Sequence, residues 1–196
     1  MKFLLILSFV TLSVSAGFLV RRDVQTIQTV IQGIGTKLTK LDASIKAFDG
    51  KDFNTLATDA LGLSDMLKQG TQKIQASQPI TINEALTLQQ TLAPIQDQGN
   101  TLVADIVAKK PTFEAAGLCD VIGSQTKDFG ATAQALVDAT VSKLPAAIQG
   151  IAQGQVGTFT ASFDQTAAAF APGNCTNAVA AQATGSNATA SALSKM

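Results

Sequence analysis

The sequence predicts an all-α fold, an antiparallel bundle of about five amphipathic helices with one of them kinked at Pro94. Three observations carry this. Apolar or small residues recur at alternating three- and four-residue steps in long runs, which places them on one stripe of a helix. No stretch shows the two-residue alternation of a strand. Short clusters of Gly, Asp and Pro punctuate the runs.

The first periodic run is Val24, Ile27, Ile31, Ile34, Leu38, Leu41, Ile45 and Phe48. Asp23 stands just before it as a candidate N-cap. Asp49-Gly50-Lys51-Asp52 then breaks the pattern, with Gly50 suited to a left-handed C-cap and Asp52 to the next N-cap. So short a joint returns the second helix antiparallel to the first. The second run is Phe53, Leu56, Ala60, Leu63, Leu67, Gly70 and Ile74, ending near Ala76 before Pro79. Thr81 and Glu84 have capping-box spacing and open a third helix through Leu88, Leu92, Ile95, Gly99, Leu102 and Ile106, with Pro94 inside it. After Lys110-Pro111 a fourth helix carries Leu118, Ile122, Phe129, Leu136 and Leu144 and stops at Pro145. A short helix over 146–152 and a final one through Val156, Phe159, Phe163 and Phe170 complete the bundle.

The ends have a different character. Met1-Lys2, the apolar run 3–12 and Val14-Ser15-Ala16 read as a secretory signal cut after Ala16. The apolar run is short of the roughly 20 residues of a membrane span. Arg21-Arg22 is a dibasic processing site or a solvated helix start. The bundle domain is expected over 17–172, and 173–196 reads as a flexible tail rich in Ala, Ser and Thr. It has no apolar C-terminal run of the kind a lipid-anchor signal needs.

Composition removes several function classes. Lys plus Arg total 14 and Asp plus Glu total 14, so the chain has no basic footprint for nucleic acid. Histidine, tryptophan and tyrosine are absent. The commonest general base and the commonest zinc ligand are therefore missing, and a His-dependent triad is excluded. Ser124 and Ser142 have no base to activate them, and the carboxylates are scattered. No enzyme activity, cofactor or metal is expected. Mean hydropathy is +0.24 and charged residues make up only 14% of the chain, so Gln, Thr, Ser and Ala must cover much of the surface.

In an exported chain the two cysteines, Cys119 and Cys175, are expected to form one disulfide. It would close a loop of more than about 50 residues, worth on the order of 4 kcal/mol in the chain-entropy picture. Asn174 and Asn187 head N-glycosylation sequons.

Small residues recur in the seams at Gly33, Gly35, Ala60, Gly70, Gly99 and Ala133. They mean either close helix contact or space between helices, and space lined by Leu, Ile and Phe accepts an apolar guest. A cavity is expected among the second, third, fourth and final helices. Its candidate lining is Leu56, Leu63, Leu67, Leu92, Leu102, Ile106, Phe129, Leu136, Phe159 and Phe163, with Gln, Ser or Thr at the mouth.

The chain resembles the fungal hydrophobic surface-binding protein A family, which includes antigenic cell-wall galactomannoproteins. The resemblance rests on the signal followed by Arg22-Asp23-Val24 and the Ile27 to Leu41 stripe, on the stretch from Ile106 to Gly117 that contains Lys109-Lys110-Pro111-Thr112-Phe113, and on the Lys143-Leu144-Pro145 break. It covers about residues 20 to 170. It implies a secreted or wall-associated helical bundle that adsorbs to hydrophobic surfaces or encloses fatty acids between its helices, with no catalytic residues. The expected function is a secreted, monomeric, non-catalytic binder of fatty-acid-like lipids or hydrophobic surfaces. The alternative is a structural wall mannoprotein with a closed core.

Overall fold

The computed structural model describes residues 15–178, with side chains except those of residues 15–22, 155, 156 and 158–160. The signal sequence over 1–14, the Asn187 sequon, the tail beyond Ala178 and the side chain of Phe159 lie outside the described residues. Six helices follow one another: α1 (Ser15–Ala47), α2 (Phe53–Ala76), α3 (Ile82–Ala108), α4 (Lys110–Ala115), α5 (Cys119–Val141) and α6 (Ala146–Ala169). Five are long and α4 has six residues. Among the described residues the sole β feature is an isolated bridge between Pro172 and Cys175.

Local chemistry explains most boundaries. Gly50 takes φ +94° at the α1–α2 joint, a conformation that L side chains resist. The Asp52 carboxylate accepts the Thr55 amide at 3.3 Å and its hydroxyl at 2.7 Å, which caps α2. At α3 the Thr81 hydroxyl and the Glu84 carboxylate form a full capping box.

Three expectations are corrected. Asp23 is not an N-cap but lies inside α1, because no turn or proline interrupts residues 18–22. The single fourth helix is divided into α4 and α5 at Gly117, whose φ of +73° stops the helix, and α5 ends at Val141, before Pro145. The short helix and the final helix are one, α6. Gly150, Gly154 and Gly157 face open space, so they cost only intrinsic helix propensity while both helix ends are anchored. α3 runs through Pro94 without interruption.

The five long helices close into a ring in the order α3, α1, α2, α5, α6 and back to α3. α1 and α2 are antiparallel, and so are α5 and α6. α1 runs parallel to α3, and α2 parallel to α5, as paired residues along the seams show: Gly35 with Ile95 and Lys46 with Asp105, then Gly70 with Leu136. The core is the continuous stripe of α1 from Ile27 to Phe48 packed against Leu56, Leu63, Leu67 and Ile74 of α2, Leu88, Leu102 and Ile106 of α3, and Phe129 and Phe163.

Each end of the ring is tied. At the end holding the α2–α3 and α5–α6 joints, the Ile80 amide donates to the Lys143 carbonyl at 2.9 Å, and Lys143 Nζ donates to the Gln75 carbonyl at 2.8 Å. At the other end Phe113 of α4, fully buried, stacks on Phe48 at 5.3 Å and meets Phe170 edge-on at 6.0 Å. Cys119 and Cys175 are disulfide-bonded, with Cα atoms 5.7 Å apart. The segment after the bridge stays packed. The Cys119 amide donates to Asn177 Oδ1, the Ala178 amide to the Glu114 carbonyl, and the Thr176 amide to the Glu114 carboxylate. The packed chain thus runs past residue 172, where the tail was expected to start.

The helix surfaces carry many threonines whose hydroxyls donate to the carbonyl one turn back, among them Thr29, Thr36, Thr58, Thr87, Thr101 and Thr132. Charge is sparse and concentrated on α1. Asp59 of α2 is 6% exposed and binds Lys40 Nζ at 2.7 Å and the Ser44 hydroxyl at 2.5 Å. Burial alone would raise its pKa. The hydrogen bonds from Lys40 and Ser44 and the charges of Lys40 and Lys37 outweigh that and hold it below the ordinary 3.8.

Two predictions follow from this packing. Because Asp59 titrates lower in the folded than in the unfolded chain, its stabilisation is whole above pH ~4 and is lost as pH falls through the folded value. Asp59→Asn should cost about 1–2 kcal/mol at pH 7, and denaturant unfolding at pH 3 should show that gap narrowed. A Cβ on Gly70 would sit 2.6 Å from Val30 Cγ1, whereas one on Gly150 would meet nothing within 4 Å. Gly70→Ala should therefore lower the melting temperature by overpacking, and Gly150→Ala should raise stability by about 0.5–1 kcal/mol.

Candidate apolar ligand site

A crevice opens between the parallel helices α2 and α5 in the half of the ring nearest the Phe113 stack. One wall is Phe53, Leu56, Ala57, Ala60 and Leu61 of α2, and the other is Val121, Ile122, Gln125, Thr126 and Phe129 of α5. Leu41 and Ile45 of α1, Ile106 of α3 and Phe113 of α4 form the floor. The three- and four-residue spacing turns these side chains inward from both helices. Ala57 and Ala60, lacking bulk, leave the gap between the larger neighbours. The volume is about 50 Å³. Leu61, 38% exposed, stands at the rim.

Among the described residues the lining carries no charged side chain. Its two polar members differ. The Thr126 hydroxyl is committed to the Ile122 carbonyl of its own helix at 2.8 Å. Gln125 is half-buried and its amide makes no hydrogen bond to the protein among the described residues. The neighbouring charge on α2, Asp59, is turned into the α1–α2 seam by Lys40 and Ser44.

Of the residues expected to line a cavity, Leu56, Ile106 and Phe129 do line the crevice. Leu63, Leu67, Leu102 and Phe163 are buried core residues outside its lining. Leu92 and Leu136 are partly buried and pack against that core. The final helix was expected to form a wall; among the described residues α6 contributes none to the lining, and the side chain of Phe159 lies outside them. Its Phe163 packs instead on Gly130, on another face of α5, where an added Cβ would lie 3.0 Å from the Phe163 Cβ. Sequence reasoning missed Leu41, Ile45, Phe53, Phe113, Val121 and Gln125. The ambiguity of the small seam residues resolves both ways. Gly33, Gly35 and Gly70 mark close helix approach, and Ala60 borders space.

A second hollow, about 600 Å³ and wide open, lies between α1 and α2 near the opposite end of the ring. Gln25, Thr26, Thr29 and Lys73 make half of its lining polar, beside Val30, Gly33, Met66 and Gly70. It is more open and more polar than the α2–α5 crevice. Among the described residues one grouping has metal-ligand chemistry, Glu114 with Cys119 and Cys175, and both of its thiols are consumed by the disulfide. No helix of the described residues is long and apolar enough to cross a membrane.

Known proteins place this architecture. The Cell wall mannoprotein 1 of Aspergillus flavus is 29% identical over 135 residues, covering 69% of this chain and 50% of that protein. Its namesake in Talaromyces marneffei is 25% identical over 136 residues, 68% of this chain and 29% of that protein. The chain therefore spans half or less of the length of these relatives. Ligand binding domain 1 of the Penicillium marneffei MP1 protein, solved in complex with arachidonic acids, superposes with a TM-score of 0.73 at 22% identity, covering 76% of this chain and 99% of that domain. AFMP4P in complex with palmitic acid gives 0.71 at 21% identity, with coverage of 76% and 99%. A sequence-family model for hydrophobic surface binding protein A matches residues 24–142. That match takes in α2, α3, α4 and α5 whole and the greater part of α1, and the chain belongs to the hydrophobic surface binding protein A family.

Proposed function

We propose that the protein is a secreted, monomeric, non-catalytic binder of fatty-acid-like lipids, and that the α2–α5 crevice is where the acyl chain enters. The observation that carries this is the crevice wall itself: hydrocarbon from five helices, without a charge, around a gap bordered by Ala57 and Ala60. Domains of the same fold are known in complex with arachidonic and palmitic acids. The cell-wall names of the relatives support a place outside the cell or in its wall. The candidate ligand contacts narrow accordingly to Leu56, Ile106 and Phe129, joined by Phe53 and Ile122.

The crevice is too small as it stands. About 50 Å³ falls well short of the roughly 300–1,000 Å³ of pockets that enclose a small ligand. The acyl chain must part α2 from α5. These two helices share no hairpin loop, so their upper ends can separate while the close contact between Gly70 and Leu136 holds the lower ends. An acyl chain burying about 400 Å² gains on the order of 10 kcal/mol gross, from which the cost of opening and ordering is subtracted. The exposed faces of α2 and α5 are covered again by the ligand.

Titration of delipidated protein with a fluorescent fatty acid should show saturable binding. Ala57→Phe, which fills the gap from its half-buried rim, should weaken it by about tenfold or more while circular dichroism and melting stay near wild type. Absence of saturable binding to the wild type would leave the closed-core structural role in its place.

A further inference from the structure

We infer that Gln125 is the head-group contact of this site, and that the site takes single-chain lipids through one neutral hydrogen bond, accepting long-chain alcohols as readily as acids. The inference rests on the binding reading above and adds to it the chemical class of the ligand head.

The crevice has two polar side chains, and Thr126 donates its hydroxyl to Ile122. That leaves the Gln125 amide, which is half-buried, borders the crevice, and has no hydrogen-bond partner in the protein among the described residues. A primary amide both donates and accepts. It satisfies a carboxylate, a protonated acid, an alcohol or an ester carbonyl without preference of charge.

Lys127 of α5 and Lys51 of the α1–α2 joint are exposed and lie outside the lining, and four other lysines at this end of the ring are engaged. Lys109 Nζ donates to the Phe48 carbonyl, Lys110 pairs with Glu114, Lys40 with Asp59, and Lys46 with both Asp42 and Asp105. A carboxylate entering between α2 and α5 therefore meets no cation in the lining. A head group bound by an ion pair loses affinity as salt rises, and one bound by a neutral amide does not.

The test uses delipidated full-length protein and displacement of a bound fluorescent fatty acid by lauric acid, dodecan-1-ol and dodecane. In the wild type the acid and the alcohol should displace within about threefold of each other, unchanged between about 20 mM and about 500 mM NaCl. Gln125→Leu should weaken both by about three- to tenfold and leave dodecane unchanged. Gln125→Glu at pH 8 should weaken lauric acid by about tenfold or more through like-charge repulsion while the alcohol stays within about threefold. Unchanged acid and alcohol affinity in a folded Gln125→Leu protein would overturn the assignment and leave the carrier reading intact. So would acid binding that falls steeply with salt and disappears in Lys73→Met, since the carboxylate would then sit in the α1–α2 hollow. A wild type that binds none of the probes would overturn the carrier reading and this inference together.

Discussion

The stack of Phe48, Phe113 and Phe170 is the constraint on which the ring depends. Phe48 follows the end of α1, Phe170 closes α6, and Phe113 belongs to the six-residue α4. These rings draw together three parts of the chain that are remote in sequence and seal one end of the core. A buried phenylalanine removes a large apolar surface from water, and its edge and face contacts fix geometry as well as area. The disulfide and the hydrogen bonds from residues 176–178 to Glu114 then hold the covering segment in place. Because Phe113 also forms the floor of the crevice, the same side chain that closes the end of the ring sets the depth of the site.

Charge is distributed so as to leave that site neutral. Lys46 bridges Asp42 and Asp105, whose hydrogen bonds hold its ammonium above the ordinary range. Lys40, Ser44 and Asp59 occupy the α1–α2 seam. Both groupings bind α1 to its two neighbours, and neither joins α2 to α5. Beside the crevice the α2–α5 seam is apolar, and its polar tie lies at the far end, where Lys143 Nζ donates to the Gln75 carbonyl.

How much of this was legible in the sequence depended on whether a residue had one physical reading or two. Asp52, Gly50, Thr81 and Glu84 have side chains or backbone freedom that fit few other situations, and they act as caps. Two cysteines in an exported chain pair in one way. The sequence suggests a short helix over 146–152 and a separate final one, but they are one helix, because tertiary anchoring at both ends of α6 overrides a glycine cost of about 1 kcal/mol each. The apolar stripe of α2 showed which residues face inward without showing the level at which the helices part. Leu56 borders the crevice, while Leu63 and Leu67, about two and three turns further on, are core. Gln125 was invisible for a different reason. A glutamine on a helix resembles any solvent-facing residue until the opposing helix reveals the hydrocarbon around it.

The threonines that bond back to their own helices change how the outside of the protein behaves toward a boundary. A serine- and threonine-rich surface ordinarily holds water through its free donors, and losing that water is costly. Here Thr29, Thr36, Thr58, Thr87, Thr101 and Thr132 keep their hydroxyl hydrogens on backbone carbonyls whatever lies outside. With charged residues at 14% and net charge zero, few groups oppose dehydration, and no long-range repulsion keeps neighbouring molecules apart. Such a surface therefore holds its water less firmly than its threonine content alone implies.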